Sequence, residues 1–403
     1  MTISLCMIVR DEAERLPACL ASAKDLINQI IVLDTGSTDQ TVAIAQAQGA
    51  EVHTFAWNQD FAAARNAALE QATGDWILVL DADETLQPDI VPVLKGIDQG
   101  QGVGEIAAEH LLLVNLLRLE VGAQQSPYTL VSRFFRNRPE LRFTRPYHET
   151  VDDSVVALQA QEPSWRVATL DAIALHHQGY QADAIARQNK FERARTIMAA
   201  YLADHPEDAY ICNKLGALYG QEGEWAKALP LLERGLTAAH SDPLTRYELY
   251  YHRGLAHRQL QQFDQAKQDY HTALAQPLLP KLKLGAAINL GSLLKQQGQL
   301  PEAIAQFEQA IAIDPDCAIA HFNLGVAHRA QGYLDPAIAA YRRAIELQPN
   351  YPEAYQNLGV ALFKLGKLPE CLQAFSMALR LYEQSDPQAA QALRTGIKKL
   401  GIA

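Results

Sequence analysis

Residues 76–86 read WILVLDADETL, five apolar residues broken off by Asp81, Ala82, Asp83 and Glu84. A run of that length bounded by polar residues predicts a buried strand, with the acidic groups at its mouth. Three carboxylates so close repel one another, so the stretch requires something held among them. Working outward, the apolar runs ISLCMIV (3–9) and QIIVLD (29–34) alternate with helical stretches TVAIAQAQGA (41–50) and FAAARNAALEQATG (61–74). This is the strand–helix–strand rhythm of an α/β domain, a mainly parallel sheet with helices on both faces. Ligands of such sheets bind beyond the carboxyl ends of the strands. There the sequence places RDE (10–12), DTGSTD (34–39) and DADE (81–84), three tips rich in oxygen atoms.

A dinucleotide site would need a Gly-x-Gly-x-x-Gly turn, whereas DTGSTD holds a single glycine. Asp34 ends a strand where its carboxylate can accept hydrogen bonds from a nucleobase or ribose, and Ser37, Thr38 or Asp39 can cap a helix starting near Thr41. Asp81 and Asp83, two residues apart at a strand end, can point to one side. As hard oxygen ligands they suit a divalent cation that also holds substrate phosphates. Asp81 and Glu84 alternatively fit a helix-capping spacing.

The 403 residues, 48% hydrophobic and 20% charged, allow two or three globular domains. All of the net charge of −11 lies early, with 14 Lys and Arg against 25 Asp and Glu in 1–190 and 21 against 21 in 191–403. Such a surface disfavours nucleic acid and anionic lipid. The most apolar window, EIAAEHLLLVNLLRLEVGA (105–123), contains His110, Asn115, Arg118 and Glu120, each costly in lipid, so no membrane span is expected. MTISLCMIVRDE lacks the features of a signal peptide. Cysteines 6, 19, 212, 317 and 371 form no close pair. Together these features predict reduced thiols and a cytoplasmic location.

The second half repeats. NLG occurs at 289–291, 323–325 and 357–359, a period of 34 residues. Twelve residues after each glycine stand Ala303, Ala337 and Cys371; sixteen after, Phe307, Tyr341 and Phe375; nineteen after, Ala310, Ala344 and Ala378. This pattern is similar to the tetratricopeptide repeat, and implies helical hairpins in which small residues let two helices approach and an aromatic ring fills the space beside them. Pro301, Pro336 and Pro369 suit the first turn of each second helix. Two looser units surround Gly216 and Gly254, and Pro277 and Pro280 predict a longer connection before the regular ones. Hairpins that bury their apolar faces only against neighbours stack as an all-α solenoid with a concave surface suited to a protein or peptide partner.

ISLCMIVRDEAERLPACLAS, IIVLDTGSTDQT, FAAARNAAL, GDWILVLDADE, SRFFRN, YHET and LHHQGY follow one another over about 180 residues. In that order they closely resemble a bacterial branch of family 2 glycosyltransferases. The resemblance implies a GT-A fold, a nucleotide-sugar donor, usually a UDP-sugar, and transfer with inversion. It also implies that Asp34 contacts the uridine, that Arg65 and Asn66 lie near the nucleotide, and that Asp81 and Asp83 meet ribose and a Mn2+ or Mg2+ ion. His177 matches the family's His-x-Gly-Tyr placement better than His176, and is the candidate third metal ligand. Glu149, in YHET, is the candidate catalytic base that takes the acceptor's proton, with Asp152 and Asp153 as rivals. Asp11 departs from the family, whose members often carry Asn before the glutamate.

The expected organisation is therefore a glycosyltransferase domain at 1–180, a basic linker helix at 181–204 (Arg187, Lys190, Arg193, Arg195), about five repeats over 207–383 and a capping helix at 384–403. The expected acceptor is a protein, a peptide or a cell-envelope glycan, with the groove of the repeats engaging it or a protein partner. The competing expectation is an interaction scaffold whose nucleotide-sugar domain no longer turns over.

Overall fold

The computed structural model describes residues 2–123, 126–178, 184–238 and 242–402, the side chains of 184–190 excepted. The chain divides into two compact units, Met1–Ser241 and Asp242–Ala403.

The first unit is built on β1 (Ile3–Val9), β2 (Gln29–Asp34), β3 (Glu51–Thr54), β4 (Trp76–Val79), β5 (Glu84–Leu86), β6 (Leu111–Glu120), β7 (Tyr128–Arg136) and β8 (Arg166–His177). They form one sheet in the order β3-β2-β1-β4-β7-β6-β8-β5. The first four are mutually parallel, β7 runs antiparallel between β4 and β6, β8 is parallel to β6, and β5 closes the edge antiparallel to β8. The mainly parallel α/β sheet expected from the three apolar runs is thus present.

Helices α1 (Leu16–Ala23), α2 (Thr41–Ala47), α3 (Phe61–Leu69), α4 (Val91–Asp98) and α5 (Asp152–Gln161) cover both faces. Because successive strand side chains point opposite ways, Trp76 and Leu78 of β4 pack with α1 and α4, while Ile77 and Val79 pack with α3 and α5. The apolar window 105–123 contributes β6 at the heart of this sheet. Among the described residues no helix is long and apolar enough to cross a membrane.

Three further helices, α6 (Ala184–Asp204), α7 (Ala209–Gln221) and α8 (Trp225–Thr237), belong to the same compact unit. Of the basic residues expected along 181–204, Arg187 and Lys190 lie outside the described side chains. Arg193 stacks over Trp57 and Phe61, at 4.7 and 5.5 Å from the ring centroids, and Arg195 pairs with Glu192 on its own helix.

The second unit is all helical: α9 (Pro243–Gln259), α10 (Phe263–Leu274), α11 (Leu284–Gln296), α12 (Leu300–Ile313), α13 (Ala318–Ala330), α14 (Leu334–Leu347), α15 (Pro352–Lys364), α16 (Leu368–Ser385) and α17 (Pro387–Lys399). The repeat's small-and-large rule has a direct steric cause. A Cβ on Gly291, Gly325 or Gly359 would lie 2.6–2.7 Å from the ring of Phe307, Tyr341 or Phe375 sixteen residues on. Gly254 meets Tyr270 and Gly216 meets Leu232 in the same way, so the looser units obey the rule with irregular spacing. The longer connection expected at Pro277 and Pro280 includes a 3-10 turn, Pro280–Lys283. All five cysteines are buried and free.

Candidate functional site

The tips of β1 and β2 are laced together by the side chains that follow them. Asp34, buried at the end of β2, accepts hydrogen bonds from the backbone N–H groups of Gly36 (3.1 Å) and Ser37 (3.2 Å). Gly36 sits at φ 106°, where a side chain would be strained. Asp11 accepts from the Thr38 N–H at 2.7 Å, which holds its carboxyl below the usual range. Asp39 accepts from the N–H groups of Thr41 (2.9 Å) and Ala13 (3.1 Å), tying the start of α2 to the β1 tip.

The three acids of DADE meet three different fates. Asp81 lies between two arginines: Arg65 Nη2 reaches one carboxylate oxygen at 2.6 Å and Arg133 Nη2 the other at 2.9 Å. Burial works to raise its pKa, but Arg133 and Arg65 hold it well below the carboxylate range. Asp83 faces His177, with Nε2 at 3.2 Å from Oδ2. Glu84 does not cap a helix. It opens β5, is fully buried, accepts the Asp81 N–H at 2.8 Å and pairs with Arg118 Nη1 at 2.7 Å.

Sheet register sets up the histidine. His177 ends β8 opposite Glu84 on one side and Glu120 on the other. Its Nδ1 lies 2.5 Å from Glu120 Oε2. Burial would lower the pKa of the ring, yet its bonds to Asp83 and Glu120 raise it to about 9. Glu120 is pushed down to about 2, because His177 and Arg118 outweigh the desolvation that would raise it. Glu12, from the β1 tip, moves the other way: burial raises it, and the negative charges of Asp83 and Asp81 add to the rise.

Among the described residues no group of three or more His, Cys, Asp and Glu side chains converges as a cation site. The donor chemistry nonetheless fits a two-ligand site. A hard carboxylate, Asp83, faces an imidazole nitrogen whose partner nitrogen is held by a carboxylate, the arrangement that orients a metal-binding histidine. Each oxygen of Asp81 accepts from one guanidinium group and keeps a further lone pair.

Glu149 joins this site through Arg65, whose Nε contacts Oε1 at 2.5 Å. The loop that carries it is gripped from several sides. Asn66 exchanges two hydrogen bonds with the backbone of Phe143, at 2.9 and 2.8 Å, so its amide holds the loop. The Phe61 N–H donates to Pro146 O at 3.0 Å. Arg145, at φ 73°, pairs with Asp153 at 2.6 Å and with Asp208, the N-cap of α7, at 2.8 Å. Tyr147 packs among side chains of α6 and α7. Of the rival bases, Asp152 accepts from Ser132 Oγ and Thr150 Oγ1, and Asp153 is engaged by Arg145 and Thr144.

The structure thus gathers Arg65, Asp81 and Glu149 into one ion chain and Asp83 and His177 into another, with Asp34 at the neighbouring tip. Sequence reasoning passed over Arg133, Arg118 and Glu120. Arg133 lies inside the quoted SRFFRN, while Arg118 and Glu120 counted only as charges costly in lipid; two opposite charges inside a run otherwise fit for a buried strand were the available signal. Gly179 and Tyr180 of LHHQGY lie outside the described residues.

Residues 4–106 match glycosyltransferase family 2, which takes in Asp34, Arg65, Asn66, Asp81 and Asp83 and ends before Glu149 and His177. Tetratricopeptide repeat families match 180–243, 247–275, 288–352 and 340–373. A TPR repeat-containing protein of Synechococcus elongatus is 47% identical over 313 residues, covering 78% of this chain and 76% of that protein. An uncharacterized glycosyltransferase of Rickettsia bellii is 28% identical over 200 residues, 49% of this chain and 67% of its own. The SPbeta prophage-derived glycosyltransferase SunS of Bacillus subtilis is 45% identical over 84 residues, 20% of each chain. The chain belongs with the TPR repeat-containing proteins, and it carries a family 2 glycosyltransferase domain ahead of its repeats. Its class is that of a glycosyltransferase.

Proposed function

We propose that this glycosyltransferase moves a sugar from a UDP-sugar to an acceptor hydroxyl, with inversion, in the cleft beyond the tips of β1, β2 and β4. The observation that carries the reading is the division of labour in DADE: Asp81 is locked between Arg65 and Arg133, while Asp83 faces His177 at 3.2 Å. Asp34 and its turn receive the nucleobase, and Asp81, fixed by its two arginines, receives the ribose. Asp83 and His177 Nε2, once that nitrogen gives up its proton, would hold a Mn2+ or Mg2+ ion, with Glu120 keeping the ring oriented. Such an ion, when bound, supplies positive charge to the departing diphosphate. Glu149 is anchored through Oε1 by Arg65, which leaves Oε2 to take the acceptor's proton as the acceptor attacks the face opposite the leaving group. The repeats engage the macromolecular acceptor, a protein, a peptide or a cell-envelope glycan.

Calorimetry with UDP, with and without Mn2+, tests the site. Asp83→Asn removes one ligand charge at a partly exposed strand end, so it is expected to abolish the Mn2+-dependent part of UDP affinity in a protein that still folds. Unchanged affinity in the folded variant removes Asp83 from the ion's shell. Donor binding without any hydrolysis or transfer favours instead an interaction scaffold with a silent domain.

A further inference from the structure

Three successive repeats of the second unit carry a cation at one position, four residues after the helix glycine: Arg258 after Gly254, Lys295 after Gly291 and Arg329 after Gly325. Each is partly exposed. The helices that bear them, α9, α11 and α13, touch in succession. Arg258 Nη1 donates to Asn289 Oδ1 in the next repeat at 3.2 Å, and Lys295 Nζ donates to Asn323 Oδ1 in the one after at 2.8 Å. Those amides cannot turn freely, because their Nδ2 groups donate to Gly285 O (2.9 Å) and Ile319 O (3.0 Å) on their own helices. Lys295 and Arg329 also lean on the repeat's large side chain, Lys295 Nζ 5.9 Å from the Phe307 ring and Arg329 Nε 3.3 Å from the Tyr341 hydroxyl. The cations are therefore held in a row.

Among the described residues none of the three cations is ion-paired. Helices α11 and α13 contain no Asp or Glu, and the acids of the array fall mainly on the alternate helices, as with Asp264, Glu302, Glu308 and Glu370. Burial, and then the charge of Arg258, pull the Lys295 ammonium below its ordinary range. One helical turn before each cation, on the same side of its helix, stand Leu255, Ser292 and Val326, all partly exposed.

We propose that this row is the docking site for an extended acidic segment of a protein, with carboxylates at every third residue. Neighbouring helices pack about 8–10 Å apart, and a segment extended as a polyproline II helix, with three residues per turn and a rise of about 3.1 Å, presents every third side chain on one face about 9.3 Å apart, so carboxylates three apart meet successive cations. Leu255 and Val326 offer small apolar contacts to a peptide, Ser292 between them offers a hydroxyl, and none of the three is an aromatic platform of the kind on which unpaired bases stack. This favours a peptide over nucleic acid.

Fluorescence anisotropy on the whole chain of 403 residues tests the proposal without any sugar donor, so docking and transfer can fail separately. The probes are a labelled peptide with Asp at every third position, the same peptide with Asn at those positions, and a single-stranded DNA oligonucleotide of equal charge. The Asp peptide is expected to bind in a salt-weakened manner, the Asn peptide to bind at least about tenfold more weakly, and the oligonucleotide not to compete. Lys295→Gln is expected to weaken the Asp peptide about tenfold, whereas Arg380→Gln, an exposed cation of α16, leaves it unchanged. Equal binding of the Asp and Asn peptides, equal effects of the two substitutions, or effective competition by the oligonucleotide overturns the proposal. If Lys295→Gln lowers the melting temperature, the Asp and Asn peptides on the unsubstituted chain decide alone.

Discussion

The strand tips of the first unit and the repeats of the second solve different problems at different ranges. In the repeats, the partner of a small residue always stands sixteen positions on, as Gly291 with Phe307 and Gly325 with Tyr341, so one local rule, repeated, makes the unit. At the tips, partners are far apart and follow no period: Asp81 finds Arg65 across 16 residues and Arg133 across 52, and Arg65 finds Glu149 across 84. The array is steric and modular, whereas the site is electrostatic and depends on the completed sheet. Damage to the site should therefore spread along ion chains, while damage to a repeat should stay where it is made.

The sharpest test concerns the end of the longest chain. Glu149→Gln keeps size and can still accept a hydrogen bond from Arg65, but removes the basic oxygen. Transfer is expected to fall roughly 10²–10⁴-fold with donor affinity little changed. Parallel measurement of donor Kd and transfer rate checks it. An unaffected rate moves the role to Asp152 or Asp153, and a lost affinity makes Glu149 a donor contact.

The next effect falls on stability. Arg118 lies between Glu84 and Glu120, at 2.7 Å from each, so Arg118→Met leaves the fully buried Glu84 without its counter-charge. The expected loss is about 3–5 kcal/mol. All four tryptophans, Trp57, Trp76, Trp165 and Trp225, lie in the first unit. Urea unfolding followed by tryptophan emission therefore reads this unit alone, and an unchanged midpoint would show that the Arg118 chain does not support it.

This contrast also explains what was legible in advance. The parallel strands 3–9, 29–34 and 76–79 could be read from their apolar runs because burial on both faces leaves few polar residues in them. The repeats could be read from Gly, Ala and aromatic spacing because their packing is local. Asp34, Asp81 and Asp83 were visible because they stand where apolar runs break. Arg133, Arg118 and Glu120 were not, since nothing in a strand's own sequence tells which distant carboxylate its charge will meet. Asn66 shows the same limit from the other side: it neighbours Arg65 in sequence, but the turn of α3 sends its amide to the backbone of Phe143.

In the repeats a smaller and strictly local effect is expected. A Cβ at Gly325 would lie 2.7 Å from Tyr341 Cδ1 and 3.1 Å from Ala337 O, and the fully buried Tyr341 ring has no room to withdraw. Gly325→Ala should cost about 1–3 kcal/mol through overpacking. Circular dichroism should show helix lost at lower urea while the tryptophan transition stays in place. A shift in both signals would mean that the two units unfold together.

The smallest effect compares two helix caps, one in each unit. Asp208 caps α7 through Oδ1, which accepts the Ile211 N–H at 2.9 Å, and its Oδ2 pairs with Arg145 at 2.8 Å on the loop that carries Glu149. Asp386 caps α17, accepting from the N–H groups of Gln388 (3.1 Å) and Ala389 (3.0 Å). Asparagine caps a helix about as well as aspartate, so Asp386→Asn should change stability by less than about 1 kcal/mol; Asp208→Asn keeps its cap but also removes the charge from a nearly buried pair with Arg145, so it should cost more. They should differ in activity. Losing the charge at 208 weakens one of the two carboxylate contacts of Arg145, the residue held at φ 73°, and lets the Glu149 loop sample positions away from Arg65. The transfer rate is expected to fall a few-fold in Asp208→Asn at unchanged donor affinity and to stay unaltered in Asp386→Asn. Equal rates in the two variants would show that α7 stands beside the loop without positioning it.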